Sequence, residues 1–142
     1  MAHYTCRQVG TRYIVSVDNH ADLIPALTEF CVDKKIAAGI ISGIGAVDRA
    51  RLGFFDFDKR QYAEQLYEEQ MEMASLNGNI TTKDGRPYLH LHATFGKKDY
   101  SVVGGHLVGA RIYGACELFI ETIDQTILRT MDNETGINLI RL

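Results

Sequence analysis

Three of the five histidines in this 142-residue chain, His90, His92 and His106, fall within seventeen residues. His90 and His92 stand two apart in Tyr88-Leu89-His90-Leu91-His92-Ala93-Thr94-Phe95, an alternating run that predicts a strand. Side chains two apart on a strand leave the same face. His106 follows on the next predicted strand, in Gly104-Gly105-His106-Leu107, where two glycines clear bulk beside it. Three neutral imidazoles on one face form a donor set for a divalent transition metal such as zinc, with water in the remaining position. Water on such a metal becomes acidic and supports hydrolysis or Lewis-acid catalysis. The competing reading is three hydrogen-bonded histidines on a polar sheet face.

Strand register decides whether the third histidine joins the first two. In an antiparallel hairpin, directly opposed residues have a constant index sum, and an even sum puts His106 on the face of His90 and His92. A three-residue loop, Lys97-Lys98-Asp99, pairs Gly96 with Tyr100 and sets His90 opposite His106. A four-residue loop turns His106 to the other face unless a bulge at Gly104-Gly105 restores it.

Other ionisable residues are weaker candidates. Glu117 and Glu121 lie four apart on a predicted strand and share a face. Either can complete a metal shell or act as a general acid or base, or both can belong to a solvated or subunit-contact face. Glu64, Glu68, Glu69 and Glu72 read as a solvated acidic surface. His3 belongs to a frayed end, and His20 to the surface before a helix.

The elements that must carry these residues are mostly strands. Arg12 to Val17 is rich in β-branched residues and predicts a strand. Asp18-Asn19-His20 supplies turn and capping chemistry. Leu23, Leu27, Phe30 and Cys31 recur at helical spacing, so a helix is expected from about Asp22 to Lys34, with Pro25 in its first turn. Ala38 to Val47 predicts a buried strand with a bend or close approach at Gly43 and Gly45, and Arg51 to Phe57 a further strand. Tyr62, Leu66 and Tyr67 suggest a helical turn in the polar stretch 59–70. Met71 to Ile80 predicts a strand with a bend or bulge at Asn77-Gly78. Residues 81–87 are a turn by composition. Ile112 to Ile123, Thr126 to Met131 and Ile137 to Arg141 are further strands. One helix among many strands indicates an α+β domain with a mainly antiparallel sheet.

Length points to a single domain over 1–142. Cys6, Cys31 and Cys116 are odd in number and widely spaced, which argues against a disulfide framework; Cys31 and Cys116 read as small core residues. No apolar run is long enough for a membrane span, and the N-terminal residues lack a secretory signal, so the expected location is cytoplasmic. The net charge of −3 weighs against a compact DNA-binding module, which normally carries a basic surplus. The Gly43-Ile44-Gly45 run matches no phosphate-binding loop, since neither the GxGxxG spacing nor a following Lys-Ser or Lys-Thr pair is present.

Four segments in order carry a family resemblance: Gly43-Ile44-Gly45-Ala46-Val47, Leu76-Asn77-Gly78-Asn79-Ile80, His90-Leu91-His92-Ala93 and Gly104-Gly105-His106-Leu107. They resemble the PPC (plants and prokaryotes conserved) domain family over about residues 10–132. The resemblance implies an α+β fold around a central antiparallel sheet and a homotrimer formed through sheet edges. It also implies a DNA-binding or regulatory role: plant members carry AT-hooks, and stand-alone prokaryotic members are nominally DNA-binding. This chain departs from the plant pattern. Asp84-Gly85-Arg86-Pro87 contains Gly-Arg-Pro but lacks the preceding arginine and basic flanks of a minor-groove hook, and it reads as a turn. The histidine trio, absent from the plant pattern, is kept. The expectation is a stand-alone, DNA-binding or regulatory homotrimer with a zinc-type site at His90, His92 and His106. The alternative is a small zinc-type metalloenzyme, a lyase or hydrolase, using the same residues.

Overall fold

A computed structural model of the chain describes residues 2–142. Strand β1 (Tyr4–Val9) turns at Gly10 into β2 (Arg12–Val17), and helix α1 (Leu23–Asp33) follows. Then come β3 (Gly39–Asp56), β4 (Gln61–Tyr67), β5 (Met71–Lys83), β6 (Arg86–Gly96) and β7 (Val102–Thr122), and the chain closes with β8 (Leu128–Met131) and β9 (Asn138–Arg141). All strand pairs are antiparallel except β5 with β8, which meet in parallel at Thr82 and Leu128. The α+β expectation therefore holds, with one helix against a nine-stranded sheet among the described residues. That helix is too short to cross a membrane.

The sheet is built on its two longest strands. β3, of 18 residues, pairs with β7, of 21 residues, and its first half also pairs with β5. β6 pairs with both β5 and β7. The pairings thus close a circuit, β3 to β5 to β6 to β7 and back to β3. Within it no strand edge is left unpaired over the paired lengths, so register is constrained from both sides.

Alternation fixes which face is which. Leu91, Ala93 and Phe95 of β6 are buried, as are Leu107, Ala110, Ile112, Cys116, Leu118 and Ile120 of β7. The helix covers this face with Leu23, Ala26, Leu27, Phe30 and Cys31, a stripe at helical spacing. Tyr4 and Tyr13 meet Phe30 edge-on at 5.4 and 5.2 Å between ring centroids. Burial pushes the Cys31 and Cys116 thiols up to about 12, which makes both core residues rather than nucleophiles. On β6 the even-numbered residues, His90 and His92 among them, lie on the outer face. On β7 the irregularity at Arg51 and Leu52 of β3 switches the inward parity between Leu107 and Ala110, and His106, opposite His92, shares that outer face.

Several segments differ from expectation. The stretch suggested as a helical turn is strand β4, paired with Ala50–Asp56. A spacing of four puts Tyr62 and Leu66 on one face of a strand as well as of a helix, so their pattern cannot separate the two. β4 is almost wholly exposed, so its ladder with β3 decides its conformation. Strand β1 was not anticipated, because only Tyr4 and Cys6 alternate inward at a sheet edge. The strands expected at 38–47 and 51–57 are one strand. The Asx-rich turn does not cap the helix. Asp22 is the N-cap residue, but its side chain accepts from Arg49 at 3.3 Å and not from the helix N–H groups, and Asn19 Oδ1 accepts from the Gly114 amide at 2.8 Å. The turn expected over 81–87 narrows to Asp84-Gly85, both with positive φ as a tight hairpin requires.

Asn77-Gly78 is not a bulge; the β5–β6 irregularity lies between Met73 and Ser75. Gly78 sits in regular pairing between Ile41 of β3 and Leu91 of β6. A Cβ there would run into the His90 carbonyl oxygen and Leu91, so β5 can lie against β6 at this point only without a side chain. Gly78→Ala is expected to lower the unfolding free energy by about 1–3 kcal/mol in urea melts, the cost of overpacking. Gly109→Ala, where the added carbon meets nothing within 4 Å, is expected to change it little. Equal effects at the two positions would show that β5 and β6 have room to spare.

Candidate metal centre

The connection between β6 and β7 is a five-residue loop, Lys97 to Ser101. It closes through Lys97 N–H to Ser101 O at 2.8 Å and Tyr100 N–H to Lys97 O at 2.9 Å. Tyr100 takes a positive φ of 63°, and Asp99 Oδ1 accepts the Ser101 amide at 3.0 Å. Gly96 therefore pairs with Val102, two residues beyond the three-residue solution, and His92, not His90, lies opposite His106. The parity is the same, so the shared face is kept without a bulge between β6 and β7.

On that face the three rings converge. One candidate ligand nitrogen from each of His90, His92 and His106 lies within 4.8 Å of the others. Ring centroids stand 5.3 Å apart for His90–His92, 5.3 Å for His90–His106 and 5.6 Å for His92–His106. His92 is exposed, and the other two are half-buried. β5 lines the same face, with Asn79 opposite His90 and Asn77 opposite His92. On the other side, Gly53 of β3 is paired with His106. The absence of a side chain at Gly53 lets the Tyr62 ring lie over it. The ring also packs against the His106 imidazole at 5.1 Å between centroids, tilted by 33°.

The electrostatics favour neutral imidazoles. Burial, the Arg129 guanidinium, and then His106 and His92 depress the His90 pKa to about 4. Burial and His92 also lower His106, against an upward pull from Glu64. Neutral rings keep the lone pairs that a metal needs. Arg129 Nη2 donates to His90 Nδ1 at 3.3 Å. A guanidinium has no acceptor, so Nδ1 carries the ring's lone pair and Nε2 its proton in this arrangement; a metal on His90 would displace Arg129 from Nδ1, or bind Nε2 with the proton moved to Nδ1, and either way would free the Nη2 N–H. His106 Nδ1 is buried and has no hydrogen-bond partner. A buried nitrogen without a partner is the kind of group that a bound ion or water satisfies. Three imidazoles converging on an open face, two of them shifted toward the neutral form and one with an orphaned nitrogen, fit a transition metal of the zinc type.

The glutamates considered in sequence do not join this centre. Glu117 lies eleven residues along β7 from His106, between Ser16 and Ile44. Glu121 is farther still and pairs with Arg12 at 3.5 Å. Instead the face is bordered by residues the sequence reading did not select: Tyr62, Asn79, Arg129 and Glu64. Glu64, read as part of a solvated acidic surface, lies close enough to influence His106 and pairs with Arg51 at 3.5 Å. Arg129 offered only a faint signal, a single cation in the apolar run Ile127-Leu128.

The depressed His90 pKa has a consequence for stability. The unfolded chain takes up a proton on this imidazole near its ordinary value of about 6.5, whereas the folded chain does so only near 4. The unfolded state thus binds more protons between these values, and stability falls as pH drops through that window. Metal-free protein is expected to lose stability from about pH 6.5 toward 4, with a shallower loss in His90→Gln. Denaturant titrations across this range check it, and parallel curves for the two proteins would remove His90 as the cause.

Several solved structures share this fold. A protein from Bacteroides thetaiotaomicron, named as a candidate DNA-binding protein, is 40% identical and superposes with a TM-score of 0.96, over 98% of this chain and 97% of its own. A metal-containing protein from Archaeoglobus fulgidus is 35% identical with a TM-score of 0.89, over the whole of both chains. A plant- and prokaryote-conserved protein from Pyrococcus horikoshii is 27% identical with a TM-score of 0.86, over 100% of this chain and 96% of its own. A comparison with curated proteins finds no match. Residues 4–124 match the Plants and Prokaryotes Conserved domain, with the histidine trio inside the matched span, and the chain belongs to that family.

Proposed function

We propose that this chain is a metal-binding member of its family that holds a divalent transition metal, zinc by its donor chemistry, on His90, His92 and His106. The observation that carries the reading is the convergence of three imidazoles on one open sheet face. The metal-containing protein from Archaeoglobus fulgidus, 35% identical over its full length, supports it. When bound, such an ion supplies an acidic water or a Lewis-acid centre. The chain's own residues favour the neutral form of His90 and His106 by burial, set the direction of all three rings through the β5–β6–β7 pairing, and wall one side with Tyr62. A lyase or hydrolase role for the centre draws its proton-carrying group from Tyr62 or Glu64, which border His106.

Elemental analysis of protein purified without added metal is expected to give one transition-metal ion per chain. His92→Ala is expected to lose it while keeping the fold, since His92 is exposed and outside the core. Chelation should lower the melting temperature of wild-type protein and leave His92→Ala unmoved. Protein that carries no stoichiometric metal, and cannot be loaded with zinc, cobalt or nickel, sinks the reading.

The same reading includes a homotrimer, as the family implies. Ile14, Ile40, Ile44 and Phe119 are exposed together on the outer face of β2, β7 and β3, with Phe119 58% open to solvent. Neighbouring apolar side chains on a flat sheet face suit an interface between chains. A second reading, direct DNA binding, is favoured by the name of the 40% identical Bacteroides thetaiotaomicron protein. The net charge of −3 weighs against it. Sedimentation is expected to give the mass of three chains, and Phe119→Asp to give smaller species; a monomeric wild type overturns the assembly. The same run with duplex DNA at low salt decides the second reading. Co-sedimentation that fades as salt rises supports it, and none at the lowest salt removes it.

A further inference from the structure

The corner beside His90 is out of electrostatic balance. Arg129 is 7% exposed, the only charged side chain in the buried class among the described residues. All its partners are neutral. Nε donates to Thr81 Oγ1 at 2.8 Å, Nη1 to the Asn138 carbonyl at 2.8 Å, and Nη2 to Asn79 Oδ1 at 2.9 Å and His90 Nδ1 at 3.3 Å. The Tyr88 ring lies 5.1 Å from the guanidinium carbon. Among the described residues, no carboxylate stands within ion-pair distance of Arg129. Burying a cation without a counter-charge is costly, and neutral acceptors offset that cost only in part.

Two unmet polar groups belong to residues on either side of this corner. Among the described residues, two buried side-chain atoms have no partner, His106 Nδ1 and Asn138 Oδ1. The first belongs to the histidine trio, the second to the residue whose carbonyl holds Arg129. The four bonds also leave one of the five guanidinium N–H groups without a partner. A divalent cation on the trio would enlarge the positive surplus. The one acidic group influencing His106, Glu64, belongs to β4 and is engaged by Arg51. The missing component is therefore a negative charge on the Arg129 side.

We propose that Arg129 and the three-histidine face together form a receptor for a small oxyanion, a carboxylate or a phosphate group. The guanidinium gives the fixed charge and a directed N–H donor, and a metal on the histidines gives the second anchor. Asn138 Oδ1 accepts from a hydroxyl or water that accompanies the anion. The second anchor rests on the metal reading above; the first rests on Arg129 alone.

Protein loaded with cobalt(II) and titrated with acetate or with inorganic phosphate, at constant ionic strength set by chloride, tests this through the visible spectrum. A saturable spectral shift is expected, and the tighter of the two ions names the ligand class. Arg129→Gln is expected to weaken it by about tenfold or more, the worth of one charge-assisted hydrogen bond, and Arg129→Lys by less. No saturable shift in wild type, or equal affinity in wild type and variants, overturns the proposal. Should the metal fail to load, the metal reading fails, and metal-free wild type decides the Arg129 anchor. The same arm decides it if neither variant folds. Low-millimolar phosphate or acetate is then expected to raise the melting temperature above matched chloride, and no difference overturns the anchor as well.

Discussion

The three-histidine face depends on β7 being held from both sides at once. β6 fixes it from His92 to Gly96, and β3 fixes it from Gly39 to Gly53. A slip of one residue against either neighbour would send His106 to the helix-covered face and Leu107 to solvent. The buried side chains of β7 resist that slip, since Leu107, Ile112, Leu118 and Ile120 would all lose their places in the core together. The irregularities between β3 and β7 lie near Gly45, Val47 and Arg51. The last of them switches the inward parity of β7 between Leu107 and Ala110, and His106 still pairs with Gly53 beyond it. The hydrophobic core on one face thus determines the metal-ligand geometry on the other.

Two opposing effects act on the imidazoles, and burial wins. Glu64 pulls the His106 proton affinity up, yet the net shift is down, because partial burial and His92 outweigh one carboxylate already engaged by Arg51. At His90 every influence points the same way: burial, Arg129 and the other two rings all disfavour the charged form. Ordinary histidine second shells present an acceptor to the ring N–H. Here Arg129 presents a donor to the one lone-pair nitrogen of His90, a contact that a metal on this ring would replace, leaving the Nη2 N–H free beside it.

Much of the fold could be read from the chain because its strands alternate cleanly and its helix has a single apolar stripe. The shared face of the histidines was also accessible, since parity survives any odd loop. The loop length itself was not. Lys97-Lys98-Asp99 looks like a complete turn, and only the positive φ at Tyr100 and the Asp99 bond to Ser101 extend it to five residues. β4 was misread because a spacing of four suits both periodicities, and β1 was missed because a short edge strand buries too little to pattern. Glu117 and Glu121 share a strand face, but that spacing says nothing of how far they stand from the histidines. β7 runs unbroken from Val102 and puts them too far along it to matter there. Arg129 lay beyond reach for another reason: its place is set by Thr81, Asn79 and Asn138, contacts distant in sequence that no local pattern announces.

The C-terminal hairpin shows why this arginine belongs with the site. β8 touches the main sheet through one paired position, Thr82 with Leu128, backed by the Thr82 amide donating to the Ile127 carbonyl at 2.8 Å. An apolar side chain at position 129 would bury well there and would spare the protein an uncompensated cation. A guanidinium makes the same join at greater cost, through Thr81, Asn79 and Asn138. The difference between those two solutions lies in what each offers the histidine face: an apolar residue offers nothing, and Arg129 offers charge and a directed donor within reach of His90. The hairpin therefore does more than extend the sheet; it carries a cation to the edge of the histidine face.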